Sequence, residues 1–215
     1  MQASLIRANG FDGGFGSYES NDYLRMVKGL ILLLQISENS KILEVGCGSG
    51  ALLFAIANLS GAEIYGYDYS ETLIEDARRY VKGNFEISEA VDCPFKNVSF
   101  DFVISHSVFQ YFPNKEYAFE VISLMSSLLK SGGKIAIYDL NDSEKEIQYH
   151  DKRRLAYTEL KIYDDKYREL PHLFFNKNEI TEILCKLGFY NIIYPVQSSL
   201  SYKNSELRFN VCATK

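Results

Sequence analysis

The run Glu44-Val45-Gly46-Cys47-Gly48-Ser49-Gly50 sets three alternate glycines just after an acidic residue. Glycines in such a turn let the backbone bend sharply and let a ligand lie against it without meeting a Cβ atom. Asp68 closes the next apolar segment, where a carboxylate can accept hydrogen bonds from both hydroxyls of a ribose. Together they imply a nucleoside-containing ligand. Gly46, Gly48 and Ala51 also satisfy G-x-G-x-x-A, the dinucleotide pattern, so the glycines alone do not choose the ligand. Glu44 discriminates. It stands inside an apolar strand, and a buried carboxylate is costly unless paired. A pyrophosphate would repel it; an ammonium group would not. The plainer role open to Glu44 is to accept amides of the adjoining loop.

Groups able to move a proton are few. The histidines are His106, His150 and His172. His106 follows a strand whose end should face the same site, and either packs there or acts as a base. His172 lies in Leu170-Pro171-His172-Leu173-Phe174-Phe175, which also reads as a hydrophobic return segment. Asp139 and Asp142 lie at and just past another strand. Lys152-Arg153-Arg154 could meet an anionic molecule, although Glu144, Glu146 and Asp151 around it favour a solvated, salt-bridged face. The cysteines, Cys47, Cys93, Cys185 and Cys212, stand far apart with no C-x-x-C, which suggests neither a metal site nor a disulfide framework and fits a reducing, cytoplasmic compartment.

These groups need a scaffold. Residues 1–20 hold Gly10, Gly13, Gly14 and Gly16 with little periodicity and read as a mobile arm. Leu24, Val27, Leu30, Ile31 and Leu34 have helical spacing. Strands are expected at 42–45, 62–67, 84–87, 100–105 and 134–140. Between them come an all-apolar, buried helix at 51–59, a helix capped by Ser70, and a helix through Leu129 stopped by Gly132-Gly133. Residues 141 to about 175 break the rhythm. A helix around Ile180–Leu187 and strands at 189–195 and 207–213 follow, the last with one buried face. Strand–helix alternation means a parallel sheet covered on both faces, with ligands beyond the carboxyl ends of its strands.

At 215 residues, 47% hydrophobic and 24% charged, the chain suits one soluble domain. The net charge of −5 argues against nucleic acid as the main partner. No apolar run reaches the roughly 20 residues of a membrane span.

Ile42–Gly50 resembles motif I of the class I S-adenosylmethionine (SAM)-dependent methyltransferases. In order, 65–70, 89–95, 99–111 and 128–134 resemble that family's ribose-binding strand, adenine-closing segment, fourth strand and approach to the fifth. The resemblance implies a doubly wound α/β fold of Rossmann-like type, with a seven-stranded, mostly parallel sheet whose last strand is antiparallel. SAM carries an ammonium, a ribose and a sulfonium but no phosphate, which suits Glu44. By position, Glu44 (through a water) and the loop Gly46, Cys47, Gly48 and Gly50 would hold the methionine part. Asp68 would bind the ribose, Tyr69 would pack on adenine, and Glu89 with the Ala90 amide would read its edge. The Ser105 or His106 carbonyl would accept from the ammonium. Glu89 departs from the family's frequent Asp, and His106 from its frequent Asn or small residue.

The expected function is methylation of a small-molecule acceptor at a hydroxyl, with S-adenosylhomocysteine (SAH) as product, no metal, and a monomer or homodimer. The alternatives are a protein or tRNA methyltransferase and a non-catalytic SAM- or partner-binding domain. Residues 1–39, with Tyr18 and with Tyr23 as a further cofactor contact, and the insertion at about 141–175 would form a lid over the domain at 40–215, with His106 or His172 as base.

Overall fold

The computed structural model describes residues 1–10, 19–155, 168, 171–196 and 201–215. Seven strands form one sheet in the order β3-β2-β1-β4-β5-β7-β6. They are β1 (Lys41–Val45), β2 (Glu63–Asp68), β3 (Asn84–Ile87), β4 (Phe100–His106), β5 (Leu129–Asn141), β6 (Tyr190–Ile193) and β7 (Arg208–Thr214). Only β7 runs against its neighbours, β5 and β6. The strand order reverses between β1 and β4, so the crevice at their carboxyl ends is where such a sheet takes a ligand.

Strand alternation sends Ile42, Ile64 and Ile104 to one face and Leu43, Val45 and Val103 to the other. The first face packs on α1 (Gln2–Ala8), α2 (Ser20–Leu34), α3 (Ala51–Ser60) and α4 (Glu71–Tyr80). The second packs on α5 (Lys115–Ser127) and α7 (Lys177–Lys186). A further helix, α6 (Glu146–Arg154), follows β5. Local chemistry sets the helix starts. The Asn114 side chain accepts from the Tyr117 amide at α5, and Asn176 with Glu179 forms a reciprocal capping box at α7.

Several expectations are corrected. The arm is not structureless, because α1 buries Leu5 and Ile6 against the core of α3; Gly13, Gly14, Gly16 and Tyr18 lie outside the described residues. Ser70 precedes α4 without a side-chain cap; Asp68 Oδ1 accepts the Ser70 amide instead. The helix α5 ends at Ser127, before Gly132 and Gly133, since Leu129 already pairs with β4. The last turn of α3 opens to solvent at Leu59. The strand β7 is buried on both faces because it sits inside the sheet, so Arg208 and Asn210 are interior. The insertion contains α6 and a bridge from Asp142 to Phe175, while Tyr157, Tyr163 and Tyr167 lie outside the described residues.

The start of α2 is clasped to the segment ahead of β7. The Glu19 amide donates to Ser201 Oγ at 3.2 Å, and the Ser201 amide donates to Asp22 Oδ2 at 2.9 Å.

Candidate active site

The chain leaves β1 through a loop in which Gly46, Gly48 and Gly50 have φ of 73°, 51° and 76°. That region costs a side-chain-bearing residue roughly 1–2 kcal/mol, which explains the glycines. The Gly46 and Cys47 amides both donate to the Tyr67 carbonyl, drawing the loop onto the end of β2. Asp68 completes the link: Oδ2 accepts the Gly48 amide at 2.9 Å. Asn9, after α1, lies over the same loop, and its Oδ1 accepts the Ser49 amide at 2.7 Å.

Glu44 sits in register between Gly66 of β2 and Ile104 of β4. It is buried, and its Oε2 has no hydrogen-bond partner. Burial, then the nearby Asp68 charge, push its carboxyl well above the ordinary range. A cation delivered to this end of the sheet would relieve both effects. The orphaned carboxylate oxygen and the glycine cradle therefore fit a cofactor that carries an ammonium.

A cleft of about 900 Å³ opens over these strand ends. Asp68, Tyr69, Leu73, Glu89, Ala90 and Tyr117 line one end. Tyr67 donates to the Ala90 carbonyl at 2.9 Å, and Tyr117 donates to Glu89 Oε2 at 3.3 Å, which positions the segment after β3. The other end is lined by His106, Tyr111, Arg153, Tyr202, Asn204 and Arg208.

Beneath that second end lies a buried polar network. Asp139 Oδ2 accepts from Ser107 Oγ and Tyr202 OH, each at 2.6 Å, and pairs with Arg208. Asn210 Oδ1 accepts the Asp139 amide. Both Ser107 and Asp139 have positive φ, at 60° and 69°, backbone strain of the kind that collects at functional sites. Burial alone would raise the Asp139 carboxyl, but Arg208 and then His106 hold it below its usual value. His106 is buried, with Tyr23 edge-on at a ring distance of 6.0 Å. Burial lowers its pKa; Asp139 opposes that shift and Arg208 adds to it. Burial thus favours the neutral imidazole, the form able to accept a proton.

Of the residues singled out from sequence, Gly46, Gly48, Asp68, Tyr69, Glu89, Ala90 and His106 line the cleft together. Glu44 lies behind the loop. Cys47 turns its thiol into the core against Gly66, and Gly50 packs against Val81 as the lead-in to α3. Ser105 is buried and donates to the Val45 carbonyl, tying β4 to β1. Tyr23 is fully buried and stands edge-on to His106. His172 lies outside the cleft wall: its Nδ1 pairs with Tyr149 OH, and its ring stands edge-on behind Tyr111. Hydrogen bonds from the Leu173 and Phe175 amides to the Gln110 and Asn141 carbonyls fix that segment as a return into the core. Asn9, Tyr117, Tyr202 and Arg208 are cleft residues that sequence reasoning missed.

A family profile described as "Methyltransferase domain" matches residues 36–188. The chain belongs to that family, and its sheet is that of the SAM-dependent class I methyltransferases. It is 32% identical over 130 residues to a sterol 4-C-methyltransferase of Caenorhabditis elegans, covering 55% of this chain and 37% of that protein. It is 36% identical over 97 residues to a tRNA (carboxymethyluridine(34)-5-O)-methyltransferase of Saccharomyces cerevisiae, covering 45% of this chain and 34% of that one. The chain thus spans less than half the length of either. The crystal structure of magnesium protoporphyrin IX methyltransferase from Synechocystis PCC 6803 with bound SAH superposes with a TM-score of 0.68 at 17% identity, covering 99% of this chain and 94% of that one. Among the described residues no helix is long and apolar enough to cross a membrane, and no cluster of His, Cys, Asp and Glu is arranged to hold a metal ion.

Proposed function

We propose that this domain uses SAM to methylate a small molecule at a hydroxyl. The observation that carries the reading is the cleft over the strand ends, with the buried, unpartnered Glu44 carboxyl oxygen behind one end and the buried His106 imidazole at the other. Bound SAM supplies a methyl group on a sulfonium, a strong electrophile. Glu44 and the glycine loop hold the ammonium end, and Asp68 takes the ribose hydroxyls through lone pairs not used by Gly48 and Ser70. Glu89 and Tyr69 flank the base. His106 would take the proton that the acceptor hydroxyl gives up on receiving the methyl group. Holding acceptor and methyl in line contributes roughly 7–11 kcal/mol, and the base adds roughly 10²–10⁴-fold.

The test begins with calorimetric titration of SAM, SAH and NAD. Methyl transfer from labelled SAM is then screened against small alcohols, phenols and bulk tRNA. Micromolar SAM binding with label entering a small hydroxyl compound is expected. Label entering tRNA alone would overturn the assignment of acceptor. In single turnover His106→Ala should slow transfer by at least about 10²-fold; a smaller effect removes His106 as base.

A further inference from the structure

The amides of the glycine loop are fully engaged within the protein. Gly46 and Cys47 both donate to the Tyr67 carbonyl, Gly48 to Asp68 Oδ2, Ser49 to Asn9 Oδ1 and Gly50 to the Cys47 carbonyl. Each backbone N–H is a single donor, so residues 46–50 keep no uncommitted amide for a ligand. SAM brings to this loop an amino-acid end with two charges on one carbon. Glu44 suits the ammonium. The carboxylate beside it is then an anion set down near Glu44 and Asp68, and it needs a donor from outside the loop.

Asn9 has one to give. A carboxamide carries an acceptor oxygen and an amino group with two donors. Asn9 Oδ1 accepts the Ser49 amide at 2.7 Å, which fixes which way round the group lies. Its Nδ2 has no hydrogen-bond partner among the described residues, and Asn9 lines the cleft. The whole group lies against Gly48, where a Cβ would stand 2.6, 2.9 and 3.0 Å from Asn9 Oδ1, Cγ and Nδ2. Gly48 thus makes room for Asn9 as well as for a ligand. The backbone is held too. The Asn9 amide donates to the Leu5 carbonyl at 3.1 Å, and Ser49 Oγ donates to the same carbonyl at 3.0 Å. Gln2 Nε2 donates to the Ala51 carbonyl at 3.0 Å. The helix α1 and the loop therefore form one unit, with Nδ2 preorganised at the rim of the cradle.

We propose that Asn9 is a cofactor-binding residue whose Nδ2 donates to the carboxylate of SAM, so that α1 is part of the cofactor site. This rests on the methyltransferase reading and adds to it a residue that selects the intact amino-acid end.

The test is calorimetric titration of the whole chain with SAM and with decarboxylated SAM, which keeps the adenosine, sulfonium and ammonium and lacks only the carboxylate. The parent should prefer SAM by about tenfold or more, as one charge-assisted hydrogen bond provides. Asn9→Asp keeps an oxygen for the Ser49 amide but sets an anion against an anion. It should bring the two ligands to parity or reverse their order. Asn9→Ala removes the donor without adding charge and should cut the preference about fivefold or more. The ratio of two ligands on one protein is what is read, so a general loosening of the loop does not mimic the effect. If Asn9→Asp does not fold, Asn9→Ala decides, since buried Leu5 and Ile6 keep α1 seated. A parent that binds both ligands equally, variants that keep the parent's preference, or variants that lose both ligands alike would overturn the assignment of Asn9 alone. A parent that binds neither ligand would overturn the methyltransferase reading and this inference with it.

Discussion

Glu44→Gln should make the protein more stable and a poorer binder of SAM at once. Glutamine has the same shape, so packing against Gly66 and Ile104 is kept. In the free protein the carboxyl is disfavoured as an anion by burial and by Asp68, and Oε2 has no donor. A raised carboxyl pKa in the folded state means the folded protein binds the proton more tightly than the unfolded one. The stability linked to that proton is complete below the ordinary carboxylate range and is lost as pH rises through the folded value. At pH 8 the variant should escape that loss. A gain of about 1 kcal/mol corresponds to about 2–4 °C in Tm for a domain of this size. Binding should move the other way. A charge-assisted hydrogen bond contributes about 1.5–3 kcal/mol, or roughly a ten- to hundredfold change in Kd. The parent's affinity should also rise with pH until Glu44 ionises without the ligand, and the variant should lose that dependence. The assay pairs thermal melts with SAM calorimetry from pH 5.5 to 8.5. A folded Glu44→Gln that binds SAM like the parent refutes the argument, because Glu44 would then be no more than a strand residue.

Asp68→Asn should keep the bulk of the loop link but lose the charge facing the ribose, weakening SAM about tenfold or more by calorimetry. At Gly48 a Cβ would stand 2.6 Å from Asn9 Oδ1. Gly48→Val should therefore displace α1, seen as faster hydrogen exchange over Leu5–Asn9, and abolish SAM binding; unchanged exchange would show that the loop tolerates a side chain. Because burial lowers the His106 pKa, the transfer rate should stay level through pH 7 and fall only on the acid side of the ordinary value of 6.5. A limb above that value would exclude His106 as the group titrating.

What the sequence revealed was local. The glycine loop, Glu44 and Asp68 are legible because a strand end, a turn and the next strand end come in one short stretch whose residue types admit few other uses. The alternation of strands and helices is legible for the same reason. The acceptor end is not. Arg208 meets Asp139 only through the antiparallel pairing of β7 with β5, across 69 residues of chain. Alternation of Leu207, Phe209 and Val211 with polar neighbours suggested that Arg208 faced water. A strand interior to the sheet buries both faces, and the polar positions become a network instead. His172 shows the reverse case: a histidine beside an apolar run admitted two readings, a base or part of a return segment, and the backbone bonds of Leu173 and Phe175 tie the run into the core with the ring edge-on to Tyr111.

The clasp between Glu19, Asp22 and Ser201 joins segments 179 residues apart. Tyr202, Asn204 and Arg208, which follow Ser201 directly, form part of the acceptor wall. The foot of α2 thus serves as a buttress for a surface to which it contributes no lining residue. In chimaeras between relatives, the stretch from Ser201 to Arg208 and the first turn of α2 form one exchangeable part. Grafting the wall without its buttress would transplant the side chains and leave behind the contacts that hold them in place.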